Sequence, residues 1–116
     1  METNKINKML IAVIQGDDYE SVVSDLTHNG FYVTQLNSVG GFLKRRSMTI
    51  MVGLAEERLE EALTILKKRA GQRTETVYHN QMLPGSSIES TPAVPLSVPT
   101  GGVAVFVLDM ERMERF

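Results

Sequence analysis

The sequence contains no cysteine, and this absence excludes several classes of protein at once. Disulfide frameworks need paired cysteines, and cysteine-ligated zinc or iron–sulfur centres need clusters of them. Two histidines are present, His28 and His79, and neither belongs to a spacing typical of a metal site or of a nucleophile–base pair. Solvated surface histidines are the simpler interpretation, and we expect no metal site.

Motifs of catalysis are missing as well. The sequence has no G-x-S-x-G element, no phosphate-binding P-loop and no H-E-x-x-H pair. The adjacent carboxylates Asp17 and Asp18 look like an acid–base pair, but neighbouring residues seldom aim at one reacting atom. Helix capping accounts for them more simply. We therefore expect a protein that is not an enzyme and that carries no cofactor.

Charge and hydropathy argue against two further kinds of partner. The formal net charge is −2 at pH 7 with both signs interspersed, whereas proteins that neutralise nucleic-acid phosphates usually carry a basic face. The apolar run at residues 9–14 follows two lysines, as in a signal peptide, but it ends at Gln15 and is too short for one. No other stretch approaches membrane-spanning length. We expect a soluble, cytoplasmic protein that binds neither a nucleic-acid polymer nor a membrane.

Hydrophobic patterning predicts a single domain over residues 1–116 in which strands alternate with helices. A chain of 116 residues fits one compact domain. Apolar, aromatic or β-branched runs predict strands at residues 9–14, 31–36, 47–54, 74–78 and 103–108.

Two apolar stripes at helical spacing predict the helices. The stripes are Tyr19, Val22, Val23 and Leu26, and then Leu59, Ala62, Leu63 and Leu66. Asp17 is the predicted N-cap of the first helix, with Glu20 completing a capping box, and Asn29-Gly30 its predicted end. The second helix is predicted from about residue 55 to residue 69, with acidic residues at its start, basic residues at its end and Gly71 as its stop.

Three segments fall outside this pattern. Residues 79–102 contain all four prolines and show no clear period. A structureless loop of that length is uncommon in a compact domain and indicates function or disorder. We expect a long Pro-rich loop at 79–102, a loop at 37–47 between the second and third strands, and a charged tail at 109–116.

The predicted order of strand, helix, strand, strand, helix and strand is the α+β, ferredoxin-like βαββαβ sandwich. Right-handed crossovers place both helices on the same face of the sheet. The first and last strands are apolar on both sides, however, and two helices can cover only one face of the sheet. Another copy of the chain is the simplest cover for the second face, so we expect a homo-oligomer.

The loop at residues 37–47 is the strongest candidate for a ligand site. Gly40 and Gly41 alone are a weak signal, since any hairpin tip can need glycine. They are followed by the large apolar residues Phe42 and Leu43 and by three cations at 44–46. Amides freed by glycine, an aromatic face and clustered cations suit a ligand that combines phosphates with bases. The alternative, which these residues alone favour somewhat, is that both apolar side chains fold onto the core and the cations are solvated.

Three segments carry a resemblance to a known family: Gly40-Gly41-Phe42-Leu43, Phe31-Tyr32-Val33-Thr34 and Gly101-Gly102-Val103-Ala104-Val105-Phe106-Val107-Leu108. Together they resemble the PII-like cyclic di-AMP receptor family, a group of nitrogen-regulatory PII-like signal-transduction proteins. The similarity runs in the same order from about residue 9 to residue 116. It implies a homotrimer of PII-like subunits with a nucleotide site in each inter-subunit cleft and no catalysis. It also implies a signal that passes through the two large loops to a downstream protein.

The resemblance further implies which residues contact the ligand. Thr34 would meet the adenine or the ribose, and the Gly41 amide would meet a phosphate. Phe42 and Leu43 would pack on a base, and Gly53 would allow close approach of the ligand. Phe106 would come from the closing strand and Arg115 from the tail. The complete set is Thr34, Gly40, Gly41, Phe42, Leu43, Ser47, Gly53, Phe106 and Arg115.

Three positions depart from the family pattern. Ser47 stands where the family has an asparagine that hydrogen-bonds adenine, and one hydroxyl cannot reproduce a two-sided amide contact. Tyr32 replaces a common arginine and Arg115 a glutamine; stacking on Tyr32 and pairing of Arg115 with phosphate could compensate. The expected ligand is therefore cyclic di-AMP or a related adenine nucleotide. The alternative is a trimeric PII-like interaction scaffold or metal-responsive protein without a nucleotide site.

Overall fold

The computed structural model describes residues 5–36, 47–79 and 94–116. Its elements are β1 Lys8–Gln15, α1 Gly16–His28, β2 Val33–Leu36, β3 Ser47–Leu54, α2 Leu59–Ala70, β4 Arg73–His79, β5 Val94–Thr100 and β6 Val103–Asp109. A short 3-10 turn at Glu56–Arg58 leads into α2. Apart from Ser47, the predicted loop at 37–47 lies outside the described residues, and so do residues 80–93 of the predicted Pro-rich loop.

Four strands form one antiparallel sheet in the order β2-β3-β1-β6. β1 lies inside the sheet, where Ala12 is opposite Ile50 of β3 on one side and Val105 of β6 on the other. β2 and β6 are the two edges. The predicted α+β class is confirmed, and the strand order is consistent with the ferredoxin-like arrangement, with β6 as the fourth strand.

Both helices pack on the same face of this sheet, as predicted. Successive strand residues point to opposite faces, and every second side chain of β1 and β3 is buried with the apolar stripes of α1 and α2. Fully buried members of this cluster include Leu10, Ala12, Ile14, Val22, Leu26, Ile50, Val52, Ala62 and Leu66. The core therefore lies between the helices and one side of the sheet.

The start of α1 differs from the prediction, and the capping box proposed at Asp17 is wrong. Gln15 occupies the N-cap position at φ −69° and ψ 140°, and no side chain caps the helix. Because β1 runs directly into α1, the extended residue needed before the helix is the last residue of the strand. Asp17 and Asp18 lie inside the first turn, at the positive end of the helix dipole. The predicted end is confirmed, since Asn29 is the C-cap and Gly30 has a φ of +88°.

Gly71 is the C-cap of α2, as predicted, and the helix has acidic residues in its first turn and basic residues in its last. The helix was predicted to start at about residue 55, but residues 56–58 form the 3-10 turn and α2 begins at Leu59. It is joined to α1 by an ion pair between Arg69 and Asp25 at 2.9 Å. The hydrogen bond from Arg69 lowers the pKa of the Asp25 carboxyl below its ordinary value. Neither helix of the described ranges has the length and hydropathy needed to cross a membrane.

The segment predicted as a structureless loop at 79–102 contains a strand, so this part of the prediction is wrong. β5 pairs with β4 in a separate two-stranded antiparallel ribbon. Pro95 and Pro99 hide the strand in the sequence, because proline cannot donate a ladder hydrogen bond. The two prolines are four residues apart, so their backbone nitrogens point to the same edge of β5. This fits nitrogens that point to the outer edge, away from β4, where no hydrogen-bond donor is needed.

An ion pair ties the base of this β4–β5 ribbon to the start of α1. The Arg73 guanidinium donates to both carboxylate oxygens of Asp18, at 2.7 and 3.2 Å, and to the carbonyl oxygen of Gly71 at 3.1 Å. Asp18 is buried, with 7 % of its surface exposed, and its hydrogen bonds raise the pKa of Arg73. Gly101, at φ +77°, lies so close to Gly71 that a Cβ on Gly101 would be 2.4 Å from the Gly71 carbonyl oxygen. The carboxylate of Asp18 therefore fixes where the ribbon leaves the domain.

We predict that Asp18→Asn lowers the free energy of unfolding by about 1–2 kcal/mol, because charge-assisted hydrogen bonds contribute roughly 1.5–3 kcal/mol and water reaches the outer side of Arg73. Chemical denaturation measures this loss. Amide hydrogens of the β4–β5 ribbon should exchange faster in the variant, since its anchor is weakened.

The matched control is Asp17→Asn, which removes the neighbouring charge of the same helical turn. Asp17 is exposed and has no hydrogen-bond partner within the described part of the chain. This control should therefore lose only the dipole contribution, a few tenths of a kcal/mol. Equal losses in the two variants would contradict an anchoring role for the Asp18–Arg73 pair.

Candidate ligand-binding site

The sheet face turned away from the helices is apolar, and we call it the open face. It carries the side chains of every second residue, opposite in phase to the core positions. On β1 these side chains are half-buried within the chain, whereas on the edge strand β6 Phe106 is 55 % exposed and Leu108 46 %. The apolar members are Met9, Ile11, Val13, Leu36, Met51, Ala104, Phe106 and Leu108.

One row of the open face crosses all four strands. Thr34 of β2 lies opposite Met51 of β3, which is opposite Ile11 of β1. Ile11 in turn lies opposite Phe106 of β6. Adjacent strands are about 4.8 Å apart, so three steps separate Thr34 and Phe106 by about 14 Å. Two predicted ligand residues thus share a face but occupy opposite edges of the sheet.

The rest of the predicted loop site is described in part. Gly40, Gly41, Phe42 and Leu43 lie outside the described residues. Ser47 is the first residue of β3 and is exposed. It has the same phase as the open-face residues of β3, so it lies on the same side of the sheet as Thr34.

The space beside Gly53 is filled by the chain itself. A Cβ on this residue would lie 3.2 Å from Cγ2 of Ile6 and 3.8 Å from Cε of Met110. The family resemblance implies that Gly53 permits close approach of a ligand. In the structure it permits close approach of the segment before β1 and of the tail after β6.

The C-terminal tail crosses one end of the sheet. The amide of Met110 donates to the carbonyl oxygen of Asn7 at 2.9 Å, which holds the start of the tail beside β1. Met110 then reaches toward Gly53 of β3. Further along, the Arg115 guanidinium lies over the ring of Tyr32, 6.0 Å from its centroid. The tail therefore starts at the β6 edge and brings Arg115 to the beginning of β2.

A groove of about 150 Å³ lies beside Tyr32 and Gly53, and Arg58 is among its lining residues. Arg58 was not identified from the sequence, where it reads as an ordinary residue near the start of a helix. Its guanidinium lies 4.1 Å from the centroid of the Phe31 ring. It donates to the Asn29 carbonyl oxygen at 2.6 Å and pairs with Glu61 at 3.0 Å. With these partners, Arg58 stabilises the wall of the groove.

Charged groups elsewhere in the described part of the chain are paired with one another or dispersed. The described ranges contain no group of three or more histidine, aspartate or glutamate side chains that could hold a metal ion. Lys8 lies opposite Asp109 and donates to it, which raises the pKa of Lys8. This pair has the phase of the helix-covered face and does not point to the open face.

The sequence model of the cyclic-di-AMP receptor family matches residues 7–116. This chain belongs to the cyclic-di-AMP receptor family. The match spans every strand and helix of the described fold, and the resemblance to a PII-like signalling family is confirmed. The family is one of receptors in signal transduction rather than of enzymes.

The chain is also similar to a functionally unknown protein from Pediococcus pentosaceus ATCC 25745 that has a crystal structure. The two sequences are 32 % identical, and the superposition covers 97 % of this chain and 99 % of the other with a TM-score of 0.73. The α+β architecture is therefore shared over nearly the whole length of both proteins.

In this member of the cyclic-di-AMP receptor family, the described residues of the predicted site fall into two groups. Thr34, Ser47, Gly53 and Arg115 lie on the β2–β3 side of the sheet, Arg115 by way of the tail. Phe106 lies alone on the β6 edge. Within one chain, the residues of β3 are two strand spacings, about 10 Å, from β6, and Thr34 of β2 is three spacings away.

Proposed function

We propose that this protein is a PII-like signal-transduction protein that binds cyclic di-AMP, or a related adenine nucleotide, in clefts between the subunits of a homotrimer. Occupancy of the cleft is relayed to a downstream protein through the loop at 37–47 and the segment at 79–102, which includes β5. The observation that carries the proposal is the match of the cyclic-di-AMP receptor family over residues 7–116.

The positions of Thr34 and Phe106 support a site shared between subunits. A ligand group that contacts Thr34 cannot also contact a side chain about 14 Å away on the far edge of the same sheet. A cyclic assembly places different patches of neighbouring subunits against each other and closes into a ring. In such a ring, the β2 edge of one subunit meets the β6 edge of the next, and Thr34 is brought near the neighbour's Phe106.

The open face supports the same assembly. Monomeric proteins rarely expose a large contiguous apolar patch, and here such a patch spans β1, β3 and β6. Packing of the open faces of three subunits removes this surface from water. The interface that forms the cleft is then held together mainly by apolar burial, at about 25 cal/mol per Å² of area removed from water.

The ligand loop supplies the remaining contacts. Amides of Gly40 and Gly41 donate to a phosphate, and Phe42 and Leu43 pack on a base. Ser47, at the start of β3, offers one hydroxyl to the base or ribose. No residue acts as a catalyst, since binding and release of the nucleotide are sufficient for signalling.

Calorimetric titration of the purified protein with cyclic di-AMP, cyclic di-GMP, ATP and ADP tests this function. We expect saturable heat with cyclic di-AMP or with one of the adenine nucleotides, at one site per subunit. Absence of heat with all four at high micromolar concentration would contradict nucleotide sensing and favour the interaction-scaffold alternative.

Phe42→Ala should weaken binding about tenfold to a hundredfold, because stacking of a base on an aromatic ring contributes about 1–3 kcal/mol. Tyr78→Ala is the control, since it removes an exposed aromatic ring on the β4–β5 ribbon. The control should bind like the wild type. An unchanged affinity in Phe42→Ala would mean that the loop does not form the base pocket.

The assembly is tested by a charge in the middle of the open face. Ile11→Lys places an ammonium group in the centre of the proposed interface, where burial without a partner costs several kcal/mol. We expect a trimer for the wild type and for the control Leu96→Lys, which lies on the ribbon. Ile11→Lys should be a folded monomer by light scattering and circular dichroism. A monomeric wild type would refute the inter-subunit cleft.

A further inference from the structure

The two outer edges of the β4–β5 ribbon are set by the positions of its prolines. In an antiparallel ladder, opposite residues alternate between pairs that bond to each other and pairs whose amides and carbonyls point outward. Pro95 lies opposite Tyr78 in this ladder. Pro99 lies opposite Thr74. Since proline has no amide hydrogen and is tolerated where its nitrogen points out of the sheet, both pairs are of the outward kind.

β4 therefore presents hydrogen-bonding groups along its outer edge, and β5 presents few. The outward residues of β4 are Thr74, Thr76 and Tyr78, and each has an amide and a carbonyl oxygen to offer. On β5, Ser97 has the single amide of the outward positions, between the two prolines. Within the described ranges β4 pairs with no strand other than β5, and no backbone hydrogen bond reaches the outward residues of β4. An unpaired edge of this kind is a template for another strand.

The side chains of the ribbon add an apolar row to this edge. Val77 lies opposite Leu96, and both are exposed. Proteins usually protect an edge strand with charges or proline, but the carboxylate of Glu75 is held by Arg73, which donates to it at 3.3 Å. A ribbon of two strands is marginally stable alone and gains from further strands beside it. A strand added to β4 would both satisfy the outward amides and cover Val77.

We propose that the outer edge of β4 pairs with the outer edge of β4 from a second copy of the chain, so that two ribbons form one four-stranded antiparallel sheet. The two-fold axis passes beside Val77, which faces its counterpart, and Thr76 bonds to Tyr78 of the copy. This register continues the apolar row of Val77 and Leu96 across both ribbons. A register centred on Glu75 would instead place two carboxylates opposite each other, which is destabilising.

A second copy is the occupant that leaves no open edge. A strand from a different protein would cover β4 but would expose its own far side as a new edge. When two β4 edges pair, both outer edges of the product belong to β5, where Pro95 and Pro99 interrupt the donors. The contact is isologous, and it therefore closes at two ribbons.

The pairing goes beyond the proposed function and does not require a nucleotide. Each β4 strand has seven residues, and their contact is smaller than the about 1,200 Å² of a stable interface. We therefore expect a weak association that becomes populated at high protein concentration. It doubles the unit that is present at low concentration, so that a trimer would become a hexamer and a single subunit a dimer.

Sedimentation velocity of the full chain between about 1 μM and about 1 mM measures this doubling. Thr76→Pro removes an outward amide from each copy, and it should raise the Kd of self-association about tenfold or more. Ser97→Pro is the matched control, because Ser97 lies directly opposite Thr76 and its amide points to the other edge. The control should self-associate like the wild type. In both variants the amides of Glu75 and Val77, which bond to β5, should keep their protection from hydrogen exchange, since the ribbon itself is intact.

The register is tested by charges at Val77, which is exposed within one chain and so tolerates them. Val77→Lys and Val77→Glu should each lose self-association, because the two-fold axis places like charges opposite each other. An equimolar mixture of the two separately purified variants should associate again, since a lysine of one then faces a glutamate of the other.

Three results would overturn the pairing. A wild type whose sedimentation coefficient stays constant over the whole concentration range leaves the β4 edge to a strand of a different protein. Equal losses in Thr76→Pro and Ser97→Pro exclude the β4 edge as the contact. A mixture of the Val77 variants that stays apart excludes the two-fold axis at Val77. Each of these results leaves nucleotide binding untouched, and a protein that binds no nucleotide leaves the pairing standing.

Discussion

Two helices can cover one face of a four-stranded sheet, and the proposed site depends on the face that remains. β1 is apolar on both sides, so burying Leu10, Ala12 and Ile14 under α1 and α2 leaves Ile11 and its neighbours on the open face. The helices bury one apolar face of the sheet, and the other apolar face remains uncovered. The association that covers this surface would also join opposite sheet edges, which is where the predicted ligand residues lie. In this account, assembly and ligand binding have the same physical cause.

The segments that leave the sheet are placed at its two ends. The β2–β3 connection and the β4–β5 ribbon leave near the end of β1 at Gln15, since Ser47 lies opposite that residue and Asp18 anchors the ribbon through Arg73. The tail leaves near the other end, where Met110 binds Asn7. A nucleotide along the β2 edge would therefore lie between the ligand loop and the Tyr32–Arg115 pair. Such a position would let ligand occupancy act on the loop.

The sequence was informative wherever the relevant pattern is local. The helical stripes, the apolar strands and the Asn29-Gly30 stop follow from spacing alone, and the structure contains them. β5 was not predicted, because Pro95 and Pro99 are typical of a loop. Only the structure shows that β5 has an unpaired outer edge, where proline is tolerated. The capping box failed because the strand supplies the N-cap. The Asp18–Arg73 pair and the path of the tail join residues distant in sequence, the pair being 55 positions apart, so no local pattern indicates them. Family resemblance, rather than spacing, suggested the shared cleft.

The central claim is that the site is built from the β2 edge of one subunit and the β6 edge of the next. Mixed trimers test this claim most directly. Thr34→Ala and Phe106→Ala alter exposed residues, and each pure variant should bind cyclic di-AMP weakly. When the two are co-expressed and the mixed trimers isolated, one cleft of each trimer receives both native residues from different subunits. The account predicts that this cleft binds with wild-type affinity, at one ligand per mixed trimer. Mixed trimers that bind no better than the pure variants would contradict it.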